Sequence, residues 1–304
     1  MTEPQKGHLA MLTFSALVAG SFSLGALAAP YVDPGALTSL RFLLAGLIVG
    51  VAAWASGGMR AAAWQAPWRY GVLGGLLAIY FVTMFEGLKT AAPVSAAAVF
   101  TLTPVMAAGF GWVLMGQRLT RRMILALMLG AAGALWVIFR ADWAAFLAFK
   151  IGRGEMIFFW GCVAHALYAP MVRKLNRGEP AVVFTFGMLI AGCVALTIWS
   201  WPALRATDWA ALPGIVWVTL IYVSVAASAA TFVLLQFAAL RLPSAKVMAY
   251  TYLTPAWVIL WEMARGAATP PAALLVGIGL TVSALWLLLK ESPEPLPEAK
   301  PRPL

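Results

Sequence analysis

Charge is scarce in this chain. Of its 304 residues only 11% are Asp, Glu, Lys or Arg, while 62% are hydrophobic. Ordinary soluble domains carry roughly 25% charged and 45–50% apolar residues, so a soluble globular protein is excluded. Acids are scarcer still, at eleven. Four lie near the ends of the chain (Glu3, Glu291, Glu294, Glu298) and four in expected loops (Asp33, Asp142, Glu179, Asp208). With two histidines, His8 and His165, the chain offers no metal-ligand cluster. Nor does it offer the paired acids or Ser/His set that a membrane-embedded enzyme needs. The two cysteines, Cys162 and Cys193, fall within apolar runs and read as buried fillers rather than a disulfide. The ring of like charges or repeated carbonyl filter of a channel is missing, and so is the strand alternation of a membrane barrel.

What is present is a succession of apolar runs, each about 20 residues long and able to cross a hydrocarbon core of about 30 Å. Backbone polar groups in lipid must be satisfied within a segment, so the runs are expected to be helices. Ten spans are expected: Leu9–Ala29, Gly35–Ala55, Trp68–Leu88, Pro93–Met115, Met123–Phe139, Gly154–Val172, Ala181–Trp201, Pro213–Ala238, Pro243–Met263 and Ala272–Leu289. The first is read as a retained span rather than a cleaved leader, because nine more follow it.

The chain also repeats itself. Leu102-Thr103-Pro104 recurs as Leu253-Thr254-Pro255, and Ala134-Leu135-Trp136 recurs as Ala284-Leu285-Trp286. The stretch Pro34 to Gly46 matches Pro180 to Gly192 at a similar offset, including Leu43/Leu189 and Ala45/Ala191. The expected fold is therefore an all-α integral membrane protein whose ten transmembrane helices form two five-helix repeats, residues 1–145 and 146–290. Five is odd, so the second repeat enters the membrane from the opposite side and is inverted. Residues 291–304, rich in proline and poor in apolar content, are expected to be a disordered cytoplasmic tail.

Basic residues set the expected orientation. With the N-terminus inside, the inner segments and adjoining span ends hold fourteen Lys and Arg and the outer ones six; Arg41 lies within a span and completes the 21. This bias places both termini in the cytoplasm. It also accounts for the net charge of +10, which is not read as nucleic-acid binding.

Candidate site residues follow from polarity at depth. Pro104 and Pro255 sit near the centres of spans four and nine, where each removes a helical hydrogen bond and frees the carbonyl four residues earlier, that of Phe100 or Thr251. Thr103 and Thr254 can bond back to the preceding turn. The pair reads as symmetry-related bends that gate the path. Glu86, Glu155 and Glu262 are the acids within spans; near outer span ends they read as interfacial carboxylates paired with Lys89, Arg153 and Arg265. His165 is deeper. On span six, Tyr168 lies about 80° and His165 about 140° from Trp160, so one broad face can hold all three. Tyr250 shares an arc of about 60° with Lys246, Trp257 and Trp261 on span nine. Tyr80 and Met84 lie four residues apart on span three. Tyr80, Met84, Trp160, His165, Tyr168 and Tyr250 are thus the expected substrate-binding residues, since a mid-span hydroxyl or indole N–H needs a partner. The small-xxx-small spacings Gly46–Gly50 and Gly71–Gly75 read as internal packing, consistent with a monomer.

The ten-span inverted repeat, the Pro34-to-Arg41 stretch running into small apolar residues, and the paired Leu-Thr-Pro helices together resemble the EamA branch of the drug/metabolite transporter superfamily. Within it the chain looks most like the YddG-type exporters of aromatic amino acids. The resemblance implies a bacterial inner-membrane exporter with a central cavity between its halves, working by alternating access. Its partners would be a small-molecule substrate, an amino acid with a large neutral or aromatic side chain, and membrane lipid; no cofactor, metal or nucleic acid is implied. Export of another small metabolite or drug is the alternative. One departure stands out: where many EamA repeats have Gly-Glu, this chain has Gly116-Gln117, and no acid stands near Ala268.

Overall fold

The computed structural model describes residues 2–57, 61–147 and 151–290. Among them all regular structure is helical. The main helices are α1 (Glu3–Ala28), α2 (Pro34–Ala55), α3 (Trp68–Leu88), α4 (Pro93–Met115), α5 (Arg121–Ile138), α6 (Arg153–Leu175), α7 (Ala181–Trp199), α8 (Gly214–Ala239), α9 (residues 244–264) and α10 (Ala272–Leu289). Nine of these, among the described residues, are continuous and apolar enough to span a membrane. The tenth, α9, covers the same length as a helix, a 3-10 turn over Tyr250–Leu253 and a second helix. The expected tail, 291–304, lies outside the described residues.

Helix ends follow local chemistry. The first helix begins six residues before the expected Leu9 because Thr2 caps it: Thr2 accepts from the Gln5 N–H and the Gln5 side chain bonds back to Thr2. Asp33 caps α2 through the Ala36 N–H at 2.9 Å, with Pro34 at the first helical position. Gly116 ends α4 at φ +64°, letting the Gln117 N–H reach back to the Gly111 carbonyl at 3.2 Å.

Both Leu-Thr-Pro copies interrupt their helices. Pro104 splits α4 after Phe100, and the Thr103 hydroxyl donates to the Phe100 carbonyl at 2.7 Å, the acceptor that the proline frees. In α9 the freed Thr251 carbonyl accepts instead from the Thr254 backbone N–H, and the Thr254 hydroxyl is buried without a partner. The expected back-bonding by threonine thus occurs in the first copy only.

The helices pack in a pattern that maps onto itself when each helix is exchanged for the one five places on. Helices α2 and α7, α4 and α9, and α5 and α10 meet as pairs; α3 packs on α6 and α7 as α8 packs on α1 and α2. This is the two-repeat architecture, with most large contacts running between the repeats. Close approach is set by glycine. A Cβ on Gly74 of α3 would fall 2.5 Å from the Met188 carbonyl and 2.6 Å from the Gly192 nitrogen of α7. One on Gly87 would fall 2.6 Å from the Gly154 carbonyl of α6. Gly46 and Gly50 also contact α7, whereas Gly71 and Gly75 contact nothing; the internal packing expected of that second pair is carried by Gly74 between them. Outside, side chains such as Leu47, Val51, Ile79, Leu125, Ile198 and Val276 are exposed. A continuous apolar surface suits lipid.

Candidate functional site

A cavity of about 10 Å³ lies between the repeats, near the volume of a single water-sized sphere. Its walls are Phe14, Val18 and Ser21 of α1, Arg41 of α2, Tyr80, Phe81 and Met84 of α3, His165 of α6, and Ala227, Thr231 and Phe232 of α8. Helices α1 and α6 are repeat counterparts, as are α3 and α8, so both halves contribute. The site is closed in this conformation.

Its polar groups lack partners within the protein. Ser21 Oγ, Arg41 Nη1, the Tyr80 hydroxyl, His165 Nδ1 and Thr231 Oγ1 are all buried with no hydrogen-bond partner in the protein, and all five side chains line this cavity. A buried polar atom left without a partner costs about 1–3 kcal/mol. Five such atoms gather around this one void.

Arg41 dominates. It is 0% exposed and stands seven residues into α2, about 10 Å from the helix start. Its Nε–H donates to Ser228 Oγ at 2.5 Å and its Nη2–H to the Ala227 carbonyl at 2.6 Å. The guanidinium carbon lies 3.6 Å from the Phe81 ring centroid, a cation–π contact that dehydration strengthens. That carbonyl lies in a stretch of α8 wound as a π-helix over Val225–Ala230, a winding that recurs at functional sites. No acid is among the lining residues. Dehydrating a cation costs several kcal/mol, and one carbonyl, one hydroxyl and a ring face offset only part of it.

Aromatic rings fill the neighbourhood. Tyr80 lies with its ring centre 4.4 Å from that of His165, 4.6 Å from Phe81, and 5.6 Å from both Phe100 and Phe158. His165 also faces Tyr168 in a parallel stack at 6.4 Å.

The expected site residues separate into groups. Tyr80, Met84 and His165 line the cavity. Tyr168 stands one layer behind, buried, its hydroxyl donating to the Met188 sulfur at 3.2 Å. Tyr250 does not reach the cavity; its hydroxyl bonds His8 Nδ1 at 3.1 Å, linking α9 to the start of α1. Trp160 is 63% exposed on the outer surface, so its expected place in the cavity is corrected: the face of α6 that carries His165 inward turns Trp160 outward. Pro104 and Pro255 lie in the adjoining helix breaks. Glu86 pairs with Lys89 at 2.6 Å and Glu262 with Arg265 at 3.0 Å. Glu155 differs from the expected pairing with Arg153: it is 5% exposed and accepts from the Ser95 hydroxyl at 2.7 Å. Sequence reasoning passed over Arg41, Ser21 and Thr231. For Arg41 the signal was available, as a basic residue well inside a span; for the hydroxyls there was none.

Polar contacts also join the repeats toward both ends of the helix bundle. At the end where α3 begins, Arg69 binds Glu179 at 2.6 Å and the Leu175 carbonyl at 2.7 Å, joining the first repeat to the second. Burial pulls the Glu179 carboxyl upward, but the Arg69 and backbone hydrogen bonds outweigh it and hold it below the usual carboxylate range. At the opposite end Ser39 and Ser200 hydroxyls meet at 2.9 Å.

Comparison with known proteins agrees with this architecture. The model of the EamA-like transporter family matches twice, over residues 5–139 and 152–290. The chain belongs to the EamA-like transporter family, and its architecture is that of a multi-pass membrane protein. It is 27% identical over 198 residues to the uncharacterized transporter YyaM of Bacillus subtilis, covering 63% of each chain. It is 29% identical over 192 residues to the aromatic amino acid exporter YddG of Ancylobacter novellus, covering 62% of this chain and 64% of the relative. The chain thus aligns with somewhat less than two thirds of the length of these curated relatives. A crystal structure at 22% identity superposes with a TM-score of 0.70, covering 94% of this chain and 97% of the other, which is a likeness of fold.

Proposed function

We propose that this transporter exports amino acids with large neutral side chains, aromatic ones especially, by alternating access at the central cavity. The observation that carries the reading is that cavity: closed, lined from both repeats, walled by aromatic rings and carrying five unpartnered polar atoms. Rings and Met84 suit an apolar side chain, and the polar atoms suit the charged end of an amino acid. The 29% identical relative named as an aromatic amino acid exporter supports the same substrate class.

In this reading residues 1–145 and 146–290 are the two moving repeats of an inner-membrane protein with both termini in the cytoplasm. The breaks at Pro104 and Pro255 are the bends about which the halves rock, and the Arg69–Glu179 pair holds the cytoplasmic end shut.

Counterflow in liposomes tests this. Purified protein loaded with unlabelled phenylalanine should take up labelled phenylalanine saturably and above the external concentration. Preference for nucleotide sugars or phosphorylated metabolites would overturn the substrate class, and non-saturable flux without counterflow would replace the carrier with a channel.

A further inference from the structure

The cavity holds one full charge and nothing among its lining residues to balance it. We propose that Arg41 is the receptor for a substrate carboxylate, and that the site recognises its substrate as an organic anion rather than as a zwitterion read at both ends. This rests on the exporter reading above and names what that site grips.

Arg41 is held at both sides. Nε and Nη2 are fixed by Ser228 and the π-wound Ala227 carbonyl, and the plane is set over Phe81. Nη1 remains buried, unpartnered and beside the cavity. An arginine serving only to seal the π-helix would not need a third donor aimed away from its protein partners and toward the cavity, and inside a membrane the acceptors open to that donor are few. A carboxylate supplies the missing acceptor and neutralises the charge in one contact, and charge-assisted bonds of this kind are the stronger ones.

Repeat symmetry supports a dedicated role. At the offset that matches Pro34 with Pro180, Arg41 corresponds to Gly187. The cation therefore stands in one repeat only, and the cavity has one charged wall. The rest of the lining offers Ser21, Thr231 and the Tyr80 hydroxyl, which bond neutral and charged groups alike. An ammonium group finds hydroxyls here but no carboxylate. The amino group of an amino acid is then tolerated rather than required.

Phenylalanine, 3-phenylpropionate (carboxylate without amine) and phenethylamine (amine without carboxylate) separate the possibilities in the purified wild-type protein. Thermal shift and competition for phenylalanine counterflow should show 3-phenylpropionate competing within about ten-fold of phenylalanine and phenethylamine not competing. Arg41→Gln should lose binding of both carboxylates by about ten- to a hundred-fold, and Arg41→Lys should recover part of it. The wild-type comparison stands even if Arg41→Gln does not fold. Competition by phenethylamine equal to that of phenylalanine, or undiminished carboxylate binding by folded Arg41→Gln, would overturn the assignment. If aromatic compounds fail altogether while an aliphatic carboxylate such as 4-methylvalerate binds in an Arg41-dependent way, the anion receptor stands and the aromatic substrate class falls.

Discussion

The hydroxyls of Thr103 and Thr251 lie 3.1 Å apart where α4 crosses α9. The repeat offset makes Thr251 the counterpart of Phe100, so the symmetry-related contact would set Thr254 against Phe100. A phenyl ring cannot accept that hydrogen bond, and the Thr254 hydroxyl is left buried without a partner. The two helix breaks are therefore alike in shape and unlike in bonding.

Two substitutions measure that difference. Thr103→Val removes the donor to the freed Phe100 carbonyl and should cost about 1–2 kcal/mol, read as a clear fall in melting temperature in detergent. Thr254→Val removes an unsatisfied hydroxyl and should be neutral or mildly stabilising. Equal losses in both would show that the local bonding described for the two breaks is wrong.

Glycine positions on α3 give a second contrast. Gly74→Ala places a methyl against the α7 backbone at 2.5–2.6 Å, a contact that rigid backbone cannot relieve without moving the helices apart. It should sharply reduce the yield of folded, monodisperse protein. Gly71→Ala, three residues earlier in open surroundings, should match wild type or gain slightly from helix propensity. Tolerance of Gly74→Ala would contradict the α3–α7 contact.

Much of this was legible in the residues and some was not. Hydropathy gives the spans because the bilayer fixes their length and forbids unpaired backbone. The duplication is visible because Leu-Thr-Pro recurs. Helical spacing correctly grouped Tyr80 with Met84, but a wheel says which residues share a face and not which way it turns; Trp160 and His165 are 140° apart by that arithmetic, enough for one to face out and the other in. The π-helix at Val225–Ala230 was illegible, since Val-Ala-Ala-Ser-Ala-Ala is an ordinary helical string and the Arg41 that engages it comes from the other repeat. Arg41 itself was countable but not placeable, because its partners are 186 and 187 residues away.

Acid should loosen the Arg69–Glu179 closure. The carboxyl titrates below its ordinary range in the folded protein, so its contribution to stability is fully present above the unfolded pKa, near 4.3. That contribution is lost as pH falls through the lower folded value. Glu179→Gln should lower stability at neutral pH by about 2 kcal/mol and flatten the decline that wild type shows below about pH 4. Thermal unfolding from pH 3 to pH 7 checks this. Parallel pH curves for the two proteins would exclude the pair as a stabilising contact.

Orientation can be read from single cysteines placed after Cys162 and Cys193 are replaced by alanine. A cysteine at Gln117 should resist a membrane-impermeant thiol reagent in intact cells, and one at Ala145 should react. The opposite pattern would invert the arrangement.

The most direct test of the account asks whether the closed cavity opens to each side in turn. Ser21 lines it with a hydroxyl that has no partner, so Ser21→Cys in the same cysteine-free background is a small change at the right place. Impermeant thiol reagent should modify this cysteine slowly when applied to either face of sealed, oriented vesicles, and saturating phenylalanine should protect it from both. Modification from neither face, or from one face only, would contradict alternating access at this site.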